Sequence, residues 1–159
     1  MKSKGIWFYG LSRSGKSFVA NIFKKFIKKS FVIDGDFVRS TLSRDLDYSL
    51  KSRKTQINRI LNISKLCIHN NYYPIITTVY MDKTTLLECK KNLINVVIVK
   101  RKDFQKIKLA HKTYKNKKYV VGRDIKLPNL NCYKLKNTGD KKVWTEITLL
   151  RKLLKKNAI

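Results

Sequence analysis

Alternating strand and helix patterns predict an α/β fold for this chain: a mainly parallel sheet of about five strands between helices on both faces, in three layers. Three observations carry the prediction. Compact apolar runs of strand length recur along the chain. Segments with helical spacing of apolar residues lie between them, and the first run opens into a glycine-bearing loop that precedes a helix. A length of 159 residues suits a single domain spanning 1–159 with a real core, and 43% hydrophobic residues fits a globular chain.

The run GIWFY at residues 5 to 9 ends at Gly10, as a buried parallel strand entering a tight loop does. Phe18, Val19, Ile22, Phe23, Phe26 and Ile27 then recur at helical spacing with lysines between them, which makes an amphipathic helix. SFVID at 30 to 34 reads as a second strand leading into a polar turn, and Ile57, Ile60, Leu61, Ser64 and Cys67 carry a longer helix over about 53 to 70. PIITTVY at 74 to 80 reads as the third strand and NVVIVK at 95 to 100 as the fourth, with TTLLECKKNL helical between them. Residues 101 to 119 are strongly basic with weak apolar spacing, and 121 to 131 hold Gly122, Pro128 and several polar residues. A mobile lid at 101–124, over a site, is therefore expected. CYKLK at 132 to 136 suits a fifth strand. From Asp140 onward Val143, Trp144, Ile147, Leu150, Leu153 and Leu154 define a terminal amphipathic helix, expected to pack on the sheet rather than on a membrane.

Charge is the compositional outlier. Against 10 Asp plus Glu stand 37 Lys plus Arg, a formal net charge of +27, which attracts nucleic acid, anionic membrane or small polyanions without choosing among them. The lysines are scattered, as on a solvated basic surface. Cys67, Cys89 and Cys132 lie far apart with only two histidines for company, so neither a metal site nor a disulfide framework is expected, and reduced thiols in a cytoplasmic protein fit better. No apolar segment reaches membrane-spanning length, and the apolar part of MKSKGIWFYG is too short for a signal peptide.

Gly10, Leu11, Ser12, Arg13, Ser14, Gly15, Lys16 and Ser17 satisfy GxxxxGK[ST] after a strand and before a helix, the context a P-loop requires. Glycines let backbone N–H groups turn onto phosphate oxygens, and the helix N-terminus adds partial positive charge. In such a loop Lys16 bridges the β- and γ-phosphates and the Ser17 hydroxyl ligates Mg²⁺, so ATP and Mg²⁺ are the expected cofactors. Asp34 ends the second strand, at the carboxyl edge where open α/β sheets bind ligands. Such a carboxylate can orient Mg²⁺ through water, accept a proton from an attacking hydroxyl, or cap a helix, alone or with Asp36. Arg39, Arg44, Arg53 and Arg59 follow, rare guanidinium groups among lysines, suited to bidentate work on an oxyanion. Tyr48 lies between them, placed to stack a nucleobase or to pack under the loop.

GLSRSGKS, DGDFVRSTLSRDLDYS and the Arg53 to Arg59 segment together resemble adenylylsulfate kinase, specifically over residues 5 to about 60. That family carries GLSxxGKS, then DGDxxRxxLxxDLxFS, then an arginine and an asparagine opening the next helix. The resemblance implies a P-loop kinase fold in which ATP phosphorylates the 3′-hydroxyl of a nucleotide conjugate. By it Asp34 is the base, with Asp36 beside it, and Arg39 and Arg53 grip the anionic part of the acceptor. It also implies a small-molecule nucleotide partner and a homodimer, and ranks nucleic acid lower as a partner. The departures bear on the substrate. Tyr48 stands for the family's phenylalanine, Gln56 for its asparagine, and TTVYMDK for the stretch containing serine-proline. The lid motif FxGID survives as VVGRD, so Val120, two residues before Gly122, replaces a second aromatic that sandwiches the purine. Lys108, Lys112 and Lys115 are within reach of ATP phosphates, though no motif picks one. One aromatic wall suits a smaller base, which favours cytidine diphosphoramidate, the acceptor of related kinases of capsule biosynthesis. Adenylyl sulfate is the alternative acceptor, and a nucleic-acid-binding P-loop protein or polynucleotide kinase is the alternative of another class, supported by Tyr114 and Tyr119 among the lysines of the 100 to 119 run.

Overall fold

The computed structural model describes residues 3–156. The apolar run at the start of the chain forms β1 (Gly5–Tyr9), buried along its whole length. With β2 (Ser30–Asp34), β3 (Tyr73–Thr78), β4 (Ile94–Arg101) and β5 (Tyr133–Asn137) it makes a five-stranded, all-parallel sheet in the order β2-β3-β1-β4-β5. A strand flanked on both sides and covered on both faces cannot alternate polar and apolar residues, which is why GIWFY is continuously apolar.

The two faces of β1 feed two cores. Trp7 and Tyr9 point to one face, where Ile57, Ile60 and Leu61 of α3 (Leu50–His69) and Leu86 and Cys89 of α4 (Lys83–Lys91) pack on Ile76. Ile6 and Phe8 point to the other, covered by Val19, Ile22 and Phe23 of α1 (Lys16–Lys24) and by Val143, Ile147 and Leu150 of α7 (Lys142–Lys155). Helices on both faces of a parallel sheet give the expected three layers. None of the described helices is long and apolar enough to cross a membrane.

Four details depart from the sequence reading. The polar turn after β2 is a helix, α2 (Gly35–Thr41), because Asp34 supplies its cap. The first helix stops at Lys24, and Phe26 and Ile27 reach the core from a turn closed by Phe26 N–H to Phe23 O (3.0 Å). Phe18, counted among its apolar face, is 51% exposed. The segment expected as a mobile lid contains two short helices, α5 (Phe104–Ala110) and α6 (Lys112–Asn116), joined edge to face by Phe104 and Tyr114 with centroids 5.8 Å apart. Apolar spacing is weak over 101–119 because α5 buries no residue; among the described side chains of that stretch only Tyr114 is buried.

Ile75 lies on β3 between β2 and β1 and is wholly buried. Ile75→Ala is expected to destabilise the fold by about 2 to 5 kcal/mol in chemical denaturation, with an unchanged slope against denaturant.

Candidate active site

All five strands run the same way, so their carboxyl ends share one edge of the sheet. A cavity of about 880 Å³ opens there. Ser12, Arg13, Gly15, Lys16, Ser17, Asp34, Asp36, Arg39, Tyr48, Arg53, Gln56 and Val120 line it, so it gathers most of the residues singled out in the sequence. Gly10, Ser14 and Gly122 are not in its wall.

The glycine-bearing loop is shaped by what lies behind it. Gly15 has φ +86°, and a Cβ there would sit 2.0 Å from Asn137 Nδ2. Asn137, buried at the end of β5, donates from Nδ2 to Ser14 O (2.8 Å) and accepts at Oδ1 from Gly139 N–H (3.0 Å). Sequence reasoning missed Asn137; its one signal was a polar residue closing an otherwise strand-like run. In front of the loop, Tyr114 Oη donates to Ser12 O (2.9 Å). Gly122, expected at the acceptor, instead packs on the loop: with φ +91°, a Cβ there would lie 2.7 Å from Leu11 Cδ2. Lys108 Nζ donates to the Gly122 carbonyl (3.1 Å), while Lys117 and Lys118 reach the cavity wall.

Lys16 is buried, and its Nζ donates to Leu11 O (3.0 Å). Burial lowers its pKa to about 8, against the opposing pull of Asp36 and Asp34. The Ser14 hydroxyl is buried without a hydrogen-bond partner among the described residues, a polar atom awaiting one at a phosphate-binding loop. Asp34 divides its carboxylate. Oδ1 accepts from Asp36 N–H (2.9 Å) and Phe37 N–H (3.2 Å), capping α2, while Oδ2 accepts from Thr77 Oγ1 (2.9 Å) and Ser17 Oγ (3.3 Å). The cap and the site-facing carboxylate, open alternatives in the sequence, are the two oxygens of one residue. Ser17 and Asp34 present the hard oxygen donors that Mg²⁺ takes.

Across the cavity three cations surround one ring. The Arg39 guanidinium carbon lies 4.8 Å, that of Arg53 5.6 Å and Lys117 Nζ 6.0 Å from the Tyr48 centroid. Burial depresses both guanidinium pKa values, and Arg39 depresses that of Arg53 further. Neither arginine forms a salt bridge among the described residues; Arg53 donates to the carbonyls of Tyr48 (3.1 Å) and Tyr119 (3.0 Å). Gln56 Nε2 donates to Gly35 O (3.0 Å), and its buried Oε1 has no partner among the described residues. Arg59 is instead paired with Asp45 (2.6 Å) and Arg44 bonds Ser40 O, both outside the cavity wall. Val120 is 5% exposed, whereas its neighbour Tyr119, with φ +57°, is 49% exposed and lines the cavity.

A strand feeding a phosphate-binding loop and a helix, with a carboxylate from the next strand facing the loop and unpaired arginines opposite, defines a P-loop phosphotransferase. Residues 2–112 match the family described as adenylylsulphate kinase. The adenylyl-sulfate kinase of Buchnera aphidicola subsp. Acyrthosiphon pisum is 31% identical over 149 residues, covering 87% of this chain and 71% of that protein. That of Staphylococcus haemolyticus is 45% identical over 71 residues, covering 42% of this chain and 36% of that protein. In structure the chain is similar to the Mycobacterium tuberculosis APS kinase solved with AMPPNP and APS, with a TM-score of 0.80 at 20% identity over 97% of this chain and 98% of that one. The chain belongs to the adenylylsulfate kinase family. It is an ATP-dependent phosphotransferase with an alcohol group as acceptor, using ATP and Mg²⁺.

Asn137→Ala leaves Ser14 O without its donor and is expected to raise the KM for ATP by a factor of about 5 to 30, the equivalent of about 1 to 2 kcal/mol, in steady-state kinetics. Phosphates beside Lys16 favour its charged form, so nucleotide binding draws a proton onto the side chain wherever the pH exceeds about 8. Affinity for a non-hydrolysable ATP analogue should thus be level below that pH and fall as pH rises through it; calorimetry in buffers of different ionisation enthalpy should read the proton uptake, and a flat profile would refute it.

Proposed function

We propose that this enzyme transfers the γ-phosphoryl group of ATP to the 3′-hydroxyl of adenylyl sulfate. One observation carries the reading: Asp34 Oδ2 lies between the P-loop hydroxyl of Ser17 and Thr77, in the cavity that Arg39, Arg53 and Tyr48 line from the other side. Donor and acceptor held in one cavity gain most of their rate from positioning and from charge neutralisation.

The backbone of residues 10–17 cradles the donor phosphates and Lys16 reaches the β- and γ-phosphates; Ser17 would hold Mg²⁺, which would neutralise charge on the transferred group. Asp34 Oδ2 takes the proton of the acceptor hydroxyl as the oxygen attacks phosphorus and ADP leaves. Its other oxygen is committed to the α2 cap, so the carboxylate cannot rotate away. Arg39 and Arg53 bind the anionic 5′-conjugate. Residues 101–124 act as a lid, tied to the donor side through Tyr114 and to the acceptor side through the Tyr119 carbonyl.

Two findings support adenylyl sulfate over the cytidine conjugate that the sequence favoured. Several of the curated relatives, those of Buchnera aphidicola and Staphylococcus haemolyticus among them, are named adenylyl-sulfate kinases. In addition, Tyr119, next to the valine that replaces the family's aromatic, offers a second exposed ring lining the same cavity as Tyr48. Cytidine diphosphoramidate remains the second reading, favoured by the valine at the family's aromatic position.

A coupled ADP-release assay offering both conjugates is expected to show turnover of adenylyl sulfate; turnover of the cytidine conjugate alone would overturn the proposal. Asp34→Asn keeps the cap, since asparagine is as good an N-cap as aspartate, and is expected to lower kcat by about 10²- to 10⁴-fold with little change in the KM for ATP. Undiminished turnover would remove Asp34 as the base.

A further inference from the structure

Outside the cavity, the face built by α1 and α7 carries two adjoining rings flanked by a cation at either end. Lys25 Nζ lies 5.5 Å from the Trp144 ring centroid; Trp144 meets Phe26 edge to face at 6.4 Å; the Arg151 guanidinium carbon lies 4.7 Å from the Phe26 centroid. None of the four lines the cavity. Lys25 follows the far end of α1, about 14 Å along the helix axis from Lys16. Catalysis therefore gives no reason for this arrangement.

Its charge is one-sided. Residues 16–29 contain no acidic residue, and residues 141–156 contain one, Glu146, against six lysines and arginines. Glu146 is turned toward the Lys136 backbone N–H (3.5 Å). None of the cations of these two stretches takes part in a salt bridge among the described residues. Trp144 remains 40% exposed although its neighbour Val143 is fully buried.

We propose that this face binds single-stranded nucleic acid, with Trp144 stacking a base and Lys25, Arg151 and the exposed Lys152 pairing with successive phosphates. Cations interleaved with an accessible aromatic ring match a polymer that alternates phosphate and base. A duplex hides its base faces, so stacking selects the single strand. A bilayer is a poorer match, because the apolar stripe of α7, Val143, Ile147, Leu150 and Leu154, is already spent on the core. The basic 100 to 119 run does not offer this combination: its Tyr114 is buried, and its Tyr119 lines the cavity.

The chain has two tryptophans, and Trp7 is wholly buried, so quenching of tryptophan emission by an oligonucleotide reports on Trp144. Titration of the full chain with a uridine oligomer of about 20 nucleotides is expected to quench that emission, with affinity falling about tenfold or more between about 50 and 200 mM salt. The triple change Lys25→Ala, Arg151→Ala, Lys152→Ala should weaken binding at least tenfold, and the single exposed Lys152→Glu should weaken it with an unchanged melting temperature. Both should leave ADP release unaltered, and Trp144→Phe should abolish the signal while anisotropy of a labelled oligomer still reads binding. The proposal is overturned by absent binding at about 50 mM salt, by undiminished binding of the variants, by displacement with an ATP analogue, or by equal binding of duplex or of phosphatidylserine vesicles. Because turnover is read separately, failure here leaves the kinase reading intact, and the converse.

Discussion

The carboxylate of Asp34 is the point on which the site depends. It closes β2, starts α2, and ties the P-loop hydroxyl of Ser17 to Thr77 of β3. An ionised carboxylate accepts several hydrogen bonds well, and with Oδ1 engaged by two backbone N–H groups its orientation is set before any ligand arrives. The same bonds that begin a helix therefore present Oδ2 to the cavity beside the Ser17 hydroxyl. α2 in turn carries Arg39, so the cap also places one of the cations that line the cavity.

Around that carboxylate the cavity carries more positive than negative charge, with Arg13, Lys16, Arg39, Arg53, Lys117 and Lys118 in its lining against Asp34, Asp36 and Asp47. Lys16 is buried with its pKa lowered, and Arg39 and Arg53 stand close enough for one to perturb the other. Each sits where a folded protein gains no stability from its charge. An anionic donor and an anionic acceptor complete what the fold leaves unsatisfied, so part of the stability forgone in the free protein reappears as binding. The unpartnered oxygens of Ser14 and Gln56 belong to the same pattern.

The P-loop itself is supported from both sides. Asn137 holds it from beneath through Ser14 O, and Tyr114 and Leu11 connect it to the segment 101–124. Arg53, through the Tyr119 carbonyl, connects that segment to α3. Donor side, acceptor side and the stretch between them thus form one network of short contacts.

The sequence by itself determined the layered fold, because continuous apolar runs of strand length and helical apolar patterns follow directly from which faces must be buried, and it determined the P-loop, because glycines, a lysine and a hydroxyl residue at that spacing between strand and helix serve phosphate. Asp34, Arg39, Tyr48, Arg53 and Gln56 were legible for the same reason, each lying in a recognisable run. The tertiary structure alone decided which arginines face the cavity: Arg59 is drawn off by Asp45, a partner 14 residues away that no local pattern reveals. It alone placed Asn137 behind the loop, 123 residues from Ser14. It also left Tyr119 half exposed and Val120 buried, though both line the cavity, since at one residue's separation only the backbone's path, left-handed at Tyr119, decides how far each side chain is uncovered.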